Sequence, residues 1–476
     1  MQLRDDFFDY LESTLFKVIS EAAQETCTET YLIGGFVRDH LLNRENKKDI
    51  DIVAIGSGIE LAKAVQKKLK NAKTVKIFKT YGTAMIHWNE LDIEFVGSRR
   101  ESYSIETRNP KVESGSLEDD QNRRDFSINA LAISLNKVDF GTLLDPFNGI
   151  LDLKQKILRT PLDPNLTYSD DPLRMLRAIR FANQLNFIIE KKSLASITKN
   201  SDRIKIVSKE RIVDELIKIL ATKKPSNGFI LLEETGLLKF ILPELVALKG
   251  IDEIEGQRHK DNFYHTLEVV DNLCLTNNNI WLRWAALLHD IGKAKTKKFI
   301  PNIGWTFHNH EFIGSKMIYK IFKRLKMPLN DKMKFVQKMV LMSSRPIIIS
   351  EDHVTDSAIR RLLFDAGPFI DDLITLCEAD ITTKNQKRYD LYHNNFKIVR
   401  EKIISIEEKD HLRNFQPPVS GEVIMKYFGL KPSREIGIIK ESIKEAILEG
   451  EIPNKYEAAF EKMKEEGEKI GLKSNE

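Results

Sequence analysis

The chain reads Tyr31-Leu-Ile-Gly-Gly-Phe-Val-Arg-Asp39 and, ten residues later, Asp49-Ile-Asp51, and this stretch decides its fold. The apolar run at its start predicts a short buried strand. Gly34-Gly35 then predicts a tight turn into a helix that begins near Phe36. A strand, a glycine turn and a helix N-terminus together present backbone N–H groups, which suits phosphate.

Asp49 and Asp51 alternate with apolar residues, so in a strand both carboxylates face one side. Two carboxylates so close repel each other unless a cation lies between them, and Mg²⁺ shared with substrate phosphates is the usual cation. The stretch therefore predicts a two-metal nucleotidyl-transfer centre. A lone DxD or Gly-Gly is more typical of a solvated strand edge or an ordinary turn, but the two at this spacing favour the metal centre.

The composition bounds the class of protein. At 476 residues, with 42% hydrophobic and 30% charged residues, the chain is expected to form two to four globular domains. A net charge of +4 leaves RNA contact to local basic patches. Three scattered cysteines without a CxxC pair, no signal-peptide core and no apolar run of about 18 residues predict a cytoplasmic protein.

The N-terminal part predicts an α/β catalytic head. Apolar spacing indicates a helix over residues 6–28 and another over 59–69. Strands are expected at Thr74–Phe78, Gly82–His87 and Leu91–Val96. In the last of these, Asp92 and Glu94 share one face. Glu94 is the candidate third metal-site carboxylate, and an ordinary exposed acidic pair is the alternative.

Residues 97–122 lack an apolar period and predict a long functional or mobile loop. The pair Arg123-Arg124 follows. Two guanidiniums beside a metal–phosphate site suit a triphosphate, whereas alone they are more often surface charge.

The next informative stretch, residues 169–181, predicts a helix capped by Asp170 or Asp171 with Pro172 in its first turn. Asp171, Arg174, Arg177 and Arg180 recur every three residues, close to one helical stripe. A carboxylate only accepts hydrogen bonds and a guanidinium only donates them. Side by side they match the exocyclic amine and ring nitrogen of cytosine or adenine, but not the carbonyl and ring N–H of uracil or guanine. A capped helix with internal salt bridges is the other interpretation.

Residues 185–245 predict further helices. Lys205, Lys209 and Arg211 belong to the best local basic patch, which is either an RNA contact or a solvated face. From about 250 to 400 a second chemical unit follows, with His265, His289-Asp290 and Asp380 in order. Imidazoles and carboxylates are ligands that divalent metals accept, so this set predicts a metal site. Beyond residue 400 the sequence is helical and charged.

These motifs together resemble the class II CCA-adding tRNA nucleotidyltransferases and the bacterial poly(A) polymerases, with an HD-superfamily domain appended. The resemblance covers about residues 15–245 and 258–385. It implies that Asp49 and Asp51 hold two Mg²⁺ ions and that the Gly34-Gly35 turn and Arg38 contact the triphosphate. It assigns Arg123-Arg124-Asp125 with Asn129 to the sugar and phosphates, and residues 145–159 to a hinge.

By the same resemblance Asp171 and Arg174 are the protein template that pairs with incoming CTP or ATP, and Arg177 and Arg180 follow on the same stripe. Residues 210–216 match the neck motif that supports the template helix. The family commonly has Glu where this chain has Asp170, a change that keeps the carboxylate.

For the HD part the resemblance implies a metal-dependent phosphohydrolase site of His265, His289, Asp290 and Asp380, with His310 as a candidate further ligand. Its metal is not identified by the sequence. Its substrate is open between 2′,3′-cyclic phosphates and phosphomonoesters, and a vestigial site is the remaining alternative.

The prediction is therefore an α+β protein: a head at 1–145, a helical neck at 146–248, an HD domain at 249–400 and a helical tail at 401–476. Its expected function is Mg²⁺-dependent addition of CCA to the tRNA 3′ end from CTP and ATP, with no membrane contact. Poly(A) polymerase, CC-only or A-only addition, and an HD phosphohydrolase with a nucleotide-binding head remain alternatives. A non-catalytic RNA-binding module would not need these carboxylates.

Overall fold

The structure, a computed structural model, describes residues 11, 13–44, 48–79, 82–104, 107–351, 355–410 and 418–475. The chain divides into two compact units, residues 1–241 and 242–476. A seven-stranded sheet with helices forms the first unit's head, and the second unit is mainly helical. The predicted α+β fold class is confirmed, while the finer division into four domains stays a prediction.

A mixed seven-stranded sheet forms the centre of the head, in the order β3-β4-β5-β2-β1-β8-β9. β2 pairs antiparallel with β1 and parallel with β5. In β2, Ile50 and Ile52 are buried while Asp49 and Asp51 point to the other face, because side chains alternate along a strand. The strands are β1 Glu29–Ile33, β2 Asp49–Ile55, β3 Lys76–Phe78, β4 Thr83–Trp88, β5 Leu91–Gly97, β8 Ala132–Ser134 and β9 Leu143–Leu144.

Three helices accompany this sheet: α1 Thr14–Glu25, α2 Gly35–Leu41 and α3 Gly58–Lys68. The Ser57 hydroxyl caps α3 by accepting the Glu60 N–H at 3.2 Å. The first predicted helix is confirmed over residues 14–25, and residues 6–10 of that prediction lie outside the described residues.

The expectation of a long loop at residues 97–122 is wrong. The segment forms a separate two-stranded hairpin, β6 Arg99–Ser104 and β7 Thr107–Ser114, and the helix α4 Leu117–Asn122. A capping box between Ser116 and Asp119 begins α4. The hairpin is joined by backbone hydrogen bonds and belongs to no larger sheet, so its sequence needs no apolar alternation.

Helices follow the head up to Ile241, with a two-residue parallel pair of strands, β10 and β11, among them. Leu173, Leu176 and Ile179 form a buried stripe on α7. The elements are α5 Gly149–Gln155, β10 Ile157–Leu158, α6 Pro164–Asp170, α7 Leu173–Leu185, β11 Ile188–Ile189, α8 Lys191–Asn200, α9 Lys209–Leu220, α10 Pro225–Glu234 and α11 Leu238–Ile241.

The second unit packs its helices around a core that includes Trp284, Phe263 and Phe322. Two short hairpins, β12 Glu253–Ile254 with β13 Gln257–Arg258 and β14 Lys298–Ile300 with β15 Gly304–Thr306, interrupt the helices. The helices are α12 Pro243–Val246, α13 Asn262–Thr276, α14 Ile280–Leu288, α15 Lys293–Thr296, α16 His310–Leu325, α17 Asp331–Met342, α18 Arg345–Glu351, α19 Asp356–Ala366, α20 Ile370–Ala379, α21 Gln386–Asp410, α22 Gly421–Phe428, α23 Arg434–Glu449 and α24 Tyr456–Lys469.

Among the helices that the structure describes, none combines the length and the apolar character needed to cross a membrane.

Candidate functional site

Strand pairing brings the predicted carboxylates together. In the parallel register of β2 and β5, Asp51 lies opposite Glu94 and Asp49 opposite Asp92. Burial and the nearby Asp49 raise the pKa of Asp51, although Arg124 opposes the shift, and burial and Asp51 raise the pKa of Glu94. Negative charges held this close favour a bound cation, and carboxylate oxygens are the ligands that Mg²⁺ prefers. The residues present thus fit divalent metal ions.

The glycine turn passes close to this face of the sheet. Gly34 has a φ of +86°, and a Cβ added there would lie 3.0 Å from Asp51 Oδ2 and 3.1 Å from Arg124 Nη1. Both the backbone conformation and the lack of space therefore require glycine. Gly35 begins α2, as the sequence predicts.

Arg38 is buried and its guanidinium is engaged within the protein. It donates to both carboxylate oxygens of Asp39, at 2.9 and 2.8 Å, and to Asn129 Oδ1 at 2.7 Å. This geometry indicates that Arg38 positions Asn129, while its contact with a triphosphate stays a prediction.

Arg123 and Arg124 share one buried acidic partner, Asp120, which the sequence analysis missed. Its carboxylate is 0% exposed and accepts from Nε of both arginines, at 3.0 and 3.1 Å. Burial alone would raise the pKa of Asp120, but the two guanidiniums hold it below its usual value. Asp120 lies three residues before Arg123 and four before Arg124, the spacing at which side chains on a helix meet. This spacing is the signal that could have revealed the partner.

A groove of about 460 Å³ joins these arginines to the carboxylates. Asp51, Glu94, Arg123 and Arg124 all line it. Cationic side chains therefore stand beside the acidic face, an arrangement that can hold a metal-bound polyphosphate.

Asp125 connects the head to helix α7. It accepts from Asn129 Nδ2 at 2.9 Å and from Arg177 Nε at 2.7 Å. Burial alone would raise its pKa, but Arg177 and Asn129 lower the pKa of Asp125 to about 2.

A second groove, of about 210 Å³, gathers the predicted template residues. It is lined by Arg123, Arg124, Asp125, Asp171, Arg174, Arg177 and Arg211. Asp171 Oδ1 accepts the Leu173 N–H, the first of α7, at 3.1 Å, but Pro172 occupies the N-cap position and Asp170 ends α6. Arg174 Nη2 donates to the Arg123 carbonyl at 2.6 Å. In place of the alternative's internal salt bridges, Arg177 and Arg180 pair with Asp125 and Glu215, which lie outside α7. Asp171 and Arg174 face the groove, and their template role stays a prediction.

Arg180 lies apart from the residues that line this groove. Its Nε is 2.6 Å from Glu215 Oε2, and its guanidinium stacks 3.9 Å from the Phe181 ring. Glu215 belongs to α9, so this pair ties α9 to the template helix. A direct contact of Arg180 with nucleotide stays a prediction.

The basic patch is only partly shared with the site. Arg211 lines the template groove, whereas Lys205 is exposed with its ammonium 4.6 Å from the Phe240 ring centroid. Lys209 is half-buried at the start of α9. Their RNA contacts stay predictions.

The histidines and aspartates of the second unit converge. His265, His289 and Asp290 place one ligand atom each within 4.8 Å of one another. Asp380 Oδ1 lies 2.9 Å from His265 Nε2 and 3.7 Å from His289 Nε2, and His310 Nε2 lies 3.5 Å from Asp290 Oδ1. All five predicted residues thus meet in one cluster.

Hydrogen bonds orient the imidazoles of this cluster. Nδ1 of His289 lies 2.7 Å from the Ala286 carbonyl and Nδ1 of His310 lies 2.9 Å from the Phe307 carbonyl. Each Nδ1 therefore donates to its carbonyl, so when the ring is neutral Nε2 has the lone pair that a metal needs. His289 Nε2 is buried without a hydrogen-bond partner among the described residues. The cluster thus fits a divalent cation.

Charges around the cluster keep Asp290 ionised. Burial alone would raise the pKa of Asp290, but His289 and Lys293 lower it well below its usual value. Lys293 Nζ donates to Asp290 Oδ2 at 2.6 Å. A cavity of about 700 Å³ opens beside His265 and Asp380.

The sequence matches three known family models in the order that the structure follows. Residues 30–159 match the poly A polymerase head domain, residues 186–248 match the probable RNA and SrmB-binding site of polymerase A, and residues 262–385 match the HD domain.

Full-length relatives extend these matches. The A-adding tRNA nucleotidyltransferase of Deinococcus radiodurans is 31% identical over 352 residues, which cover 72% of this chain and 78% of that protein. The multifunctional CCA protein of Shewanella frigidimarina is 31% identical over 366 residues, which cover 74% and 83%. The crystal structure of the Bacillus stearothermophilus CCA-adding enzyme in complex with CTP has the same fold, with a TM-score of 0.67 at 22% identity over 96% of this chain and 99% of that one.

The three ordered domains, the two long relatives and the shared fold lead to one conclusion: the chain belongs to the family of tRNA nucleotidyltransferases and bacterial poly(A) polymerases, with an HD domain in its second unit.

Proposed function

We propose that this protein completes or repairs the 3′-terminal CCA of tRNA, using CTP and ATP and releasing pyrophosphate. The observation that carries the proposal is the register of β2 and β5, which sets Asp51 opposite Glu94 beside a groove lined by Arg123 and Arg124. The names of the relatives, an A-adding tRNA nucleotidyltransferase and a multifunctional CCA protein, support the tRNA end as acceptor.

In this proposal Asp49, Asp51 and Glu94 hold two Mg²⁺ ions. When bound, these ions would activate the RNA 3′-hydroxyl and neutralise charge on the triphosphate. Arg123 and Arg124 add positive charge along the phosphates, and Asp120 holds both guanidiniums in place. The backbone of the Gly34 turn comes within reach of the same phosphates.

The choice of base falls to Asp171 and Arg174 in the template groove. Asp171 accepts from the exocyclic amine of cytosine or adenine, and Arg174 donates to the adjacent ring nitrogen. Uracil and guanine present a carbonyl to the carboxylate and a ring N–H to the guanidinium, so both are refused. Duplex RNA is recognised mainly through shape and backbone, and Lys205, Lys209 and Arg211 are proposed to contact it in this way.

A primer-extension assay tests the proposal. tRNA transcripts that end before, within and after CCA are incubated in Mg²⁺ with each nucleotide singly and with CTP plus ATP. Addition of C, C and A followed by a stop supports the proposal. Addition of only A, only CC, or unlimited adenylate assigns the chain to an A-adding enzyme, a CC-adding enzyme or a poly(A) polymerase. No addition to any transcript overturns it.

The second unit supports a second candidate function, metal-dependent phosphohydrolysis. The observation in its favour is His289 Nε2, which is buried without a hydrogen-bond partner among the described residues and lies 3.4 Å from Asp290 Oδ2 and 3.7 Å from Asp380 Oδ1. Hydrolysis adds one water across the P–O ester bond and releases an alcohol. The test follows hydrolysis of 2′,3′-cyclic nucleotides and phosphomonoesters with a series of divalent metals, together with metal binding by calorimetry. A cluster that binds no metal overturns it.

A further inference from the structure

The cavity beside the HD cluster extends beyond the HD-matched segment. That segment ends at residue 385, yet Arg388, Tyr392 and Phe396 of helix α21 line the same cavity as His265 and Asp380. The family match therefore leaves part of this site unassigned.

Helix α21 is fixed in this position at two points. Asn385 Oδ1 accepts the Arg388 N–H at 3.2 Å and so sets where the helix begins. Arg400 makes a two-bond ion pair with Glu378, at 2.8 and 2.7 Å, which ties α21 to α20 two residues before Asp380. Arg388 thus stands on a helix that is anchored beside a ligand of the proposed metal.

Among the charged side chains that line the cavity and are not occupied by an ion pair or the metal cluster, cations outnumber carboxylates. Lys384 and Arg388 are exposed and have no ion-pair partner among the described residues, and Lys260 has only a 3.4 Å hydrogen bond to Thr382. Lys293 is occupied by Asp290. On the acidic side, Asp380 belongs to the metal cluster, and the two other carboxylates of the lining are Glu268 and Asp261, which also caps α13.

The space and the side chains suit a ligand larger than one phosphate. The cavity measures about 700 Å³, and Tyr264 and Tyr392 offer aromatic faces on which a base can stack. A metal held by the cluster would offset charge on the phosphate that reacts, which leaves Lys384, just before α21, and Arg388 on α21 for a different anionic group.

We propose that Lys384 and Arg388 form an anion subsite that binds a second phosphate of the HD substrate, the one that is not hydrolysed. The preferred substrate is then a nucleotide with two phosphates rather than one. This inference rests on the proposed phosphohydrolase function. Hydrolysis of the 3′ ester of adenosine 3′,5′-bisphosphate consumes one water and yields adenosine 5′-phosphate and inorganic phosphate.

Steady-state hydrolysis of adenosine 3′-phosphate and adenosine 3′,5′-bisphosphate at low salt tests the subsite, because the two differ by one phosphate. Arg388→Ala is expected to lower kcat/KM for the bisphosphate at least about tenfold, as for a lost hydrogen bond to a charged group, and to leave the monophosphate within about twofold. Lys387→Ala is the matched control, since it removes the neighbouring exposed charge outside the cavity lining. Equal effects of the two variants, or no preference in the unaltered protein, would overturn the subsite.

A binding measurement separates this inference from the hydrolase proposal. If neither compound is hydrolysed with any divalent metal, the hydrolase proposal fails, and equilibrium dialysis with labelled adenosine 3′,5′-bisphosphate decides the subsite. A Kd weakened at least about tenfold in Arg388→Ala but not in Lys387→Ala supports it. Identical Kd values in the two variants contradict it.

Discussion

At the residue scale, single side chains in the template groove serve structure and recognition together. Arg174 donates to the Arg123 carbonyl at 2.6 Å and lines the groove beside Asp171. One oxygen of Asp171 accepts the Leu173 N–H at the start of α7, which fixes where its carboxylate lies. Rigid placement of this kind is what reading a base edge requires, because a hydrogen-bond pattern discriminates only if its donors and acceptors cannot shift.

Arg174→Ala is expected to reduce discrimination against UTP and GTP by about 10- to 100-fold, the range for loss of one base-reading pair of hydrogen bonds. Single-nucleotide incorporation with all four triphosphates measures it. Arg203→Ala is the control, because Arg203 also donates to a backbone carbonyl, that of Ser169, yet does not line the groove. Unchanged discrimination in Arg174→Ala would contradict the template assignment.

Asp125 predicts a pH dependence of stability. Its pKa is about 2 in the folded protein, below the value near 3.9 of an unfolded chain. It therefore contributes about 2 to 3 kcal/mol to the free energy of unfolding above pH 5, and about half of this is lost by pH 3. Urea unfolding of the protein and of Asp125→Asn, compared from pH 6 to pH 3, measures the effect. A stability difference that does not shrink as the pH falls would refute the role of Asp125.

At the element scale, the site depends on how strands and turns are joined. β2 and β5 are parallel neighbours, so carboxylates 43 residues apart in sequence come to lie opposite each other, as Asp51 and Glu94 do. The turn between β1 and α2 passes close to Asp51, and its positive φ and lack of space require glycine at position 34.

Gly34→Ala is therefore expected to destabilise the protein by about 1–2 kcal/mol, because its left-handed backbone disfavours a Cβ. It should also impair nucleotide addition, since the new methyl group displaces Asp51. Thermal unfolding and primer extension measure the two effects. The control is Gly437→Ala in α23, where a Cβ meets nothing within 4 Å and the change should be neutral or stabilising. If the two variants had the same thermal stability and the same activity in primer extension, this explanation of the turn would be excluded.

At the scale of the whole molecule, the two candidate sites belong to different compact units. The carboxylates of the head precede Ile241, and the histidine cluster follows Leu242. The two sites share no residue. A substitution in one site should therefore abolish nucleotide addition or phosphohydrolysis without affecting the other activity.

Asp49→Ala is expected to lower nucleotide addition by about 10²- to 10³-fold, the scale of losing one preorganised electrostatic group, and to leave phosphohydrolysis intact. His289→Ala should do the reverse. Both activities are measured on the same preparations, with circular dichroism to verify folding. Loss of both activities from either single change, in a protein that remains folded, would argue against two independent sites.

The sequence by itself determined the motifs and the elements that carry them. Period-two alternation identified β2, an aspartate followed by Pro172 identified the start of α7, and glycine identified the turn at residue 34, because these signals are local. The same reasoning missed the hairpin at 99–114, whose strands are held by backbone hydrogen bonds that leave no apolar pattern.

Only the tertiary structure decided which residues meet. It set Glu94 beside Asp51, made Asp120 the buried partner of both arginines, separated Arg180 from the template groove, and brought Arg388 from α21 to the HD cavity. The physical reason is that side-chain contacts across long sequence separations depend on strand register and helix placement. These are properties of the folded chain and leave little trace in the local order of its residues.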